Sequence, residues 1–80
     1  QATPLVAAMK AANRAQNGGF LRSDLSGDLL VDSMKSRSGI TPPMNEVQVD
    51  HKIPVAAGGT RSQDNLQLLS RQENRDKWDN

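Results

Sequence analysis

Two short apolar runs followed by a polar tail, all within residues 46–80, leave this chain few ways to fold. Val47, Val49 and Ile53 alternate with polar residues at the period of a half-buried strand, and Pro54 then removes a backbone donor and ends the pairing. Gly58, Gly59, Thr60, Ser62 and Asp64 make the next stretch a loop, after which Asn65-Leu66-Gln67-Leu68-Leu69 reads as a second strand. Ser70 and Glu73 stand in the spacing of a capping box, which predicts a helix from Arg71 to the chain end. The expected order is strand, loop, strand, helix.

Between Arg71 and Asp79 the only large apolar residue is Trp78, so burial alone does not hold that helix. A helix this polar either frays or is kept because its polar face has a task. At helical spacing Asn74 lies beside Arg71, Lys77 and Trp78, and one face then offers an amide oxygen flanked by cations. That suits a metal next to a phosphate. The single histidine of the chain, His51, directly follows an acid, Asp50.

In order along the chain, V-D-H-K-I-P, G-G-T, D-N-L-Q-L-L and E-N-R-D-K resemble the HNH endonucleases, whose strand-strand-helix unit holds one divalent metal. The resemblance covers residues 47–79 and several spaced elements, which makes it far more specific than one short motif. It implies that Asp50 ligates the metal, His51 is the general base, Asn65 fixes the loop and Asn74 completes the metal site. Many members bind a structural zinc through paired cysteines; this chain has no cysteine, so no such zinc is expected. Asn74 stands where other members have a histidine. An amide oxygen is a hard ligand, and magnesium is the expected ion ahead of manganese or another divalent cation.

The implied chemistry is phosphodiester hydrolysis of DNA, with Arg71, Arg75 and Lys77 as contacts to phosphate. RNA is an alternative substrate, and a non-catalytic nucleic-acid or protein-binding module on the same fold is the alternative class. The formal net charge of +1 does not by itself announce a nucleic-acid partner, and acids are interleaved with the bases of the last helix. His51 is also in phase with Val47, Val49 and Ile53, the position of a core histidine, and neighbouring residues on a flat strand point to opposite faces. For Asp50 and His51 to share a site, the strand has to end or twist near Pro54. Trp78 reads as a packing anchor rather than a base-stacking platform.

Eighty residues make a single small α+β domain, with residues 1–45 as scaffold and 46–80 as the catalytic unit. Thr3 is placed to cap an amino-terminal helix whose first position is Pro4; Leu5, Met9 and Ala12 share one face, and Asn17-Gly18-Gly19 ends it. Phe20-Leu21 and Leu29-Leu30-Val31 flank Ser26-Gly27-Asp28, which suggests a hairpin with a glycine turn; a short helix over residues 28–35 is the rival. Thr41-Pro42-Pro43 forces an extended connector that sets where the first strand begins. No run is long enough to span a membrane. The chain starts at Gln1, and is expected to be the carboxy-terminal part of a larger polypeptide. The stretches R-S-D-L-S-G-D and G-I-T-P-P-M-N-E, leading into V-D-H, are similar to HNH domains at the ends of bacterial polymorphic toxins, including Rhs-type and type VI secretion effectors. That similarity implies a cognate immunity protein as partner and secretion or delivery into the cytoplasm of a target cell.

Overall fold

The structure is a computed structural model that describes residues 4–33 and 39–78. Helix α1, Pro4–Gln16, opens on proline, whose missing amide proton costs nothing at a first helical position. It stops where Gly18 and Gly19 take positive φ (66° and 96°) and the Gly19 amide donates to the Arg14 carbonyl at 2.7 Å. The expected cap, Thr3, lies outside the described residues. Met9 is buried and Leu5 packs beside it, but the third inward position is Asn13 and not Ala12, which is exposed. The stripe therefore runs at intervals of four residues and ends on a polar group. Asn13 replaces packing with wiring: its Oδ1 accepts from the Arg22 amide at 2.9 Å and its Nδ2 donates to the Arg22 carbonyl at 2.8 Å.

Those bonds hold α1 to a hairpin. The Leu30 amide donates to Leu21 (2.9 Å) and the Ser23 amide to Asp28 (2.9 Å), around a turn in which Gly27 takes φ 80°. The hairpin is thus present, with Arg22 and Leu29 as its antiparallel bridge, and residues 28–33 are not helical. The rest of the rival helix lies outside the described residues. Beyond the hairpin, Val31 lies parallel to the start of the main sheet: its amide donates to Asn45 (3.0 Å), and the Val47 amide donates back to Val31 (2.8 Å).

Strand β1, Val47–His51, pairs antiparallel with β2, Leu66–Ser70, with Val47 opposite Ser70, Val49 opposite Leu68 and Asp50 opposite Gln67. Directly opposed residues share a face. Val47, Val49 and His51 therefore lie with Leu66, Leu68 and Ser70, and Gln48 and Asp50 lie with Leu69 and Gln67. On the first face, Val47 and Leu68 join Met9, Leu21 and Leu30 in the core. The second face carries helix α2, Arg71–Trp78. Two boundaries differ from expectation. Asn65 closes a 3₁₀ turn, Gln63–Asn65, before β2, and Ile53 falls outside β1 and is 54% exposed. Both shifts have one cause, since the Asn65 side chain takes both backbone groups of Ile53 and leaves none for a strand ladder.

The capping box at the head of α2 is formed: Ser70 Oγ accepts from the Glu73 amide (3.0 Å), and Glu73 Oε1 accepts from the Ser70 amide (2.9 Å). Burial pushes the Glu73 carboxyl up, yet the Ser70 amide and the hydroxyls of Ser23, Ser26 and Ser70 outweigh it and hold the group below its ordinary range. Two further amides that a helix start would leave unpaired go to the connector, Arg71 to the Glu46 carbonyl and Gln72 to Met44, each at 2.9 Å. A helix with no apolar face is thereby tied down at its first turn. Among the described residues no helix is long and apolar enough to cross a membrane.

Candidate active site

Asp50 is the buried acid of the sheet face under α2, and a buried carboxylate needs donors or a counter-charge. Three elements supply them. Lys77 Nζ lies 2.6 Å from Oδ2, Gln67 Nε2 reaches the same oxygen at 2.9 Å from the facing strand, and the Trp78 indole nitrogen donates to Oδ1 at 3.2 Å. The Lys77 ammonium also bonds the carbonyls of His51 (2.6 Å) and Lys52 (3.2 Å), strapping α2 to the end of β1. Asn74 arrives from the helix. Its Nδ2 donates to Gln48 Oε1 at 2.8 Å, and its Oδ1 accepts at 2.9 Å from the Trp78 indole nitrogen. One N–H is thus shared by an Asp50 oxygen and the Asn74 oxygen. The fold brings these two residues together from positions far apart in the chain.

His51 stands apart from that cluster. It is the last residue of β1, opposite Leu66, and the ladder continues past it, since the Lys52 amide donates to the Asn65 carbonyl at 2.7 Å. The strand neither ends nor turns over before His51, so the side chains of Asp50 and His51 leave the backbone on opposite faces. The imidazole is half-buried and makes no hydrogen bond to any described residue, while its own carbonyl is held by Lys77. It is not fully buried, and no described side chain ties it up.

The backbone just after His51 is clamped. Asn65 Oδ1 accepts from the Ile53 amide at 3.0 Å, and its Nδ2 donates to the carbonyls of Ile53 (3.0 Å) and Thr60 (2.6 Å). Gly59 closes the same loop by donating its amide to the Pro54 carbonyl at 2.9 Å. A Cβ there would collide with the Ile53 carbonyl oxygen, which makes glycine obligatory at this close approach.

The three basic residues expected at phosphate are placed differently from one another. Arg75 is exposed, and its guanidinium makes no hydrogen bond to a described residue. Arg71 is half-buried and donates to the Pro42 carbonyl (3.1 Å) and toward Met44 Sδ (3.0 Å), so its guanidinium braces the connector. Lys77 faces Asp50 and not outward. Trp78 is not the packing anchor expected of it: the ring is 54% exposed, with the Lys77 ammonium 5.6 Å from its centroid, and the contribution comes from its N–H. Gln48 and Gln67 went unremarked in the sequence. Pairing the two strands in register would have found Gln67, which stands opposite Asp50.

Among the described residues there is no cluster of three or more His, Cys, Asp or Glu side chains that would hold a metal by itself. Asp50 and Asn74 offer one carboxylate and one amide oxygen converging on a common donor. Such a pair fits a hard divalent cation that keeps several waters, as magnesium does, and does not fit a zinc centre built from sulfur and nitrogen. A cavity on the far side of the sheet, bordered by Met9, Asn13, Asp24 and Leu68, contains none of these groups. Comparison with known families finds a match to the model for HNH endonuclease over residues 35–80, more than half of the chain. No curated protein and no solved structure matches it.

Proposed function

Since the chain belongs to the HNH endonuclease family, we propose that it is a metal-dependent nuclease that hydrolyses phosphodiester bonds of DNA with little sequence preference. The observation that supports this most is the convergence of the buried Asp50 carboxylate and the Asn74 amide oxygen on one donor, one residue from a histidine whose ring makes no hydrogen bond to a described residue. Asp50 and Asn74 would hold one divalent ion, magnesium first. Bound there, the ion supplies charge neutralisation at the phosphate and stabilises the leaving oxygen.

The chain's own residues do the rest. His51, the last residue of β1, takes a proton from the attacking water at the end of the strand, where a phosphate held by the cation would reach past the sheet edge to the ring on the opposite face; no described residue bonds that imidazole. Asn65 and Gly59 fix the backbone that carries it by closing residues 53–60 into a rigid loop. Arg75, exposed on α2, contacts phosphate without reading bases, which makes cleavage salt-sensitive and nonspecific. Supercoiled plasmid and a structured RNA, each incubated with the protein in magnesium and again in chelator, test the reading. Magnesium-dependent nicking of plasmid at many positions is expected. A sharply defined cut site overturns the lack of sequence preference, and cleavage of RNA alone overturns the DNA assignment.

A second reading has one observation in its favour. The Asp50 carboxylate already has three donors from its own chain, as a purely structural buried acid would, and the domain would then bind nucleic acid or protein without cutting. Magnesium-independent binding with no cleavage by the parent protein would select it. The stretches R-S-D-L-S-G-D and G-I-T-P-P-M-N-E support assignment as the toxin part of a bacterial antibacterial effector, delivered into a target cell and held in check by an immunity protein. Expression in the bacterial cytoplasm should arrest growth, and Asp50→Ala should relieve the arrest. Equal toxicity of the variant would remove this role.

A further inference from the structure

Asp50 needs a counter-charge whenever no metal is bound, and the fold provides one. Lys77 is the cation within ion-pair distance of it among the described residues, at 2.6 Å, and the Asp50 side chain is almost wholly buried. The Trp78 indole N–H sits between Asp50 Oδ1 and Asn74 Oδ1, at 3.2 and 2.9 Å, and offers both oxygens the same electropositive contact that a cation would. We infer that the Lys77 ammonium and the Trp78 indole N–H are internal stand-ins for the metal, holding the Asp50 and Asn74 oxygens in its absence and leaving them when it binds.

Charge makes the exchange obligatory. A divalent ion on the Asp50 carboxylate would face the Lys77 ammonium across a few ångströms beside a buried carboxylate, where like charges repel more strongly than in bulk water. Lys77 reaches Asp50 from the last turn of α2 on a long flexible stem and is itself part-exposed, so it swings out by giving up its bonds to Asp50 and to the His51 and Lys52 carbonyls, while the capped first turn keeps the helix in place. The same motion turns its ammonium toward solvent on the helix that carries Arg75, where an incoming phosphate would meet it. Lys77 thereby serves as counter-ion before the metal arrives and as phosphate contact afterwards. Cation binding becomes a competition, and the stand-ins set the apparent affinity of the site.

This inference rests on the proposal that Asp50 and Asn74 form the cation site, and the experiment separates the two. The metal-free chain is titrated with manganese by calorimetry in four forms: parent, Lys77→Met, Lys77→Gln and Asp50→Asn. In parallel, the indole N–H resonance of Trp78, the only tryptophan, is followed with magnesium. Removing the competitor should tighten manganese binding by roughly tenfold or more in both Lys77 variants, in the ordinary range of coupling between groups that share a site. The parent's indole resonance should move on loading. If Asp50→Asn abolishes binding while both Lys77 variants bind no more tightly than the parent, the cation site stands and the displacement falls. An indole resonance that stays put on loading overturns the part assigned to Trp78. Should Asp50→Asn bind as the parent does, the cation lies elsewhere and both proposals fall. If Lys77→Met is too unstable in chelator for calorimetry at the titration temperature, melting temperatures taken with and without manganese decide: a larger rise than the parent shows supports displacement, and an equal or smaller rise overturns it.

Discussion

His51 ends its strand with a half-buried ring that makes no hydrogen bond to the described residues, whereas the acid before it is buried and triply bonded. Truncating it should leave the core and the Asp50–Asn74 pair alone. His51→Ala is expected to keep the parent's melting temperature and manganese binding while losing DNA cleavage by roughly 10²-fold or more, the usual scale for a general base. Both readouts belong on one preparation, and a stable, metal-binding variant that still cuts at the parent rate rules out the mechanism. Gly59 is a separate case, because its replacement fails on space. Gly59→Ala drives a methyl into the Ile53 carbonyl and should cost on the order of 1–3 kcal/mol in urea unfolding, as overpacking does; unchanged stability would mean the loop is not held as described. The sequence marks Gly58-Gly59 as a turn, but which glycine is indispensable depends on where the Ile53 carbonyl comes to rest. Likewise Asp50, His51, Asn65 and Asn74 stand out as single residues in the sequence, whereas the partners of Asp50 come from β2 and α2 and are visible only once register and helix placement are known.

Helix α2 shows which parts of an element can be read in advance. Its start is written locally, in Ser70 and Glu73, and it forms where that pattern places it. Its remaining anchors are not local: the Met44 and Glu46 carbonyls belong to a connector that no pattern within the helix could name. Since the helix buries no residue of its own, the cap carries an unusual share of its stability. Ser70→Ala should therefore lower unfolding stability by about 1 kcal/mol, toward the upper end of the capping range if the hydroxyl's burial matters, and should weaken manganese binding by loosening Asn74. Melting and calorimetry on that variant check both, and a variant indistinguishable from the parent would show that the helix is held by its other ties, to the connector and to β1. For α1 the reverse occurred. Apolar spacing gives a helix with an inward face through Leu5 and Met9 and an end at Asn17-Gly18-Gly19, as it forms, but puts Ala12 where Asn13 turns inward, because a buried asparagine that bonds Arg22 leaves no hydrophobic signal.

The whole molecule is held as much by polar ties between elements as by its small core, and this governs its response to acid. Lys10 and Arg14 of α1 reach Asp32 beyond the hairpin at 2.8 and 3.1 Å; the Lys10 hydrogen bond comes first in holding that carboxyl down to about 2. Glu73 in the capping box also lies below its ordinary range, and so does Asp64 in the loop after Gly59, where the Ser62 hydroxyl is the main cause. All three shifts have the same sign. A carboxyl whose folded pKa is depressed binds fewer protons folded than unfolded, so its contribution is complete above the unfolded value and is lost as pH falls through the folded one. For Asp32 that window runs from 3.8 down to about 2. Its side chain is 45% exposed, so the ties to α1 are screened and together contribute about 0–1 kcal/mol. Asp32→Asn should therefore lower the melting temperature slightly at neutral pH and low salt. The difference from the parent should shrink in high salt, and again as pH is lowered from 4 toward about 2, where the parent's own carboxyl protonates. A parent-to-variant gap that stays constant across that pH range would show that Asp32 does not couple α1 to the hairpin through its charge.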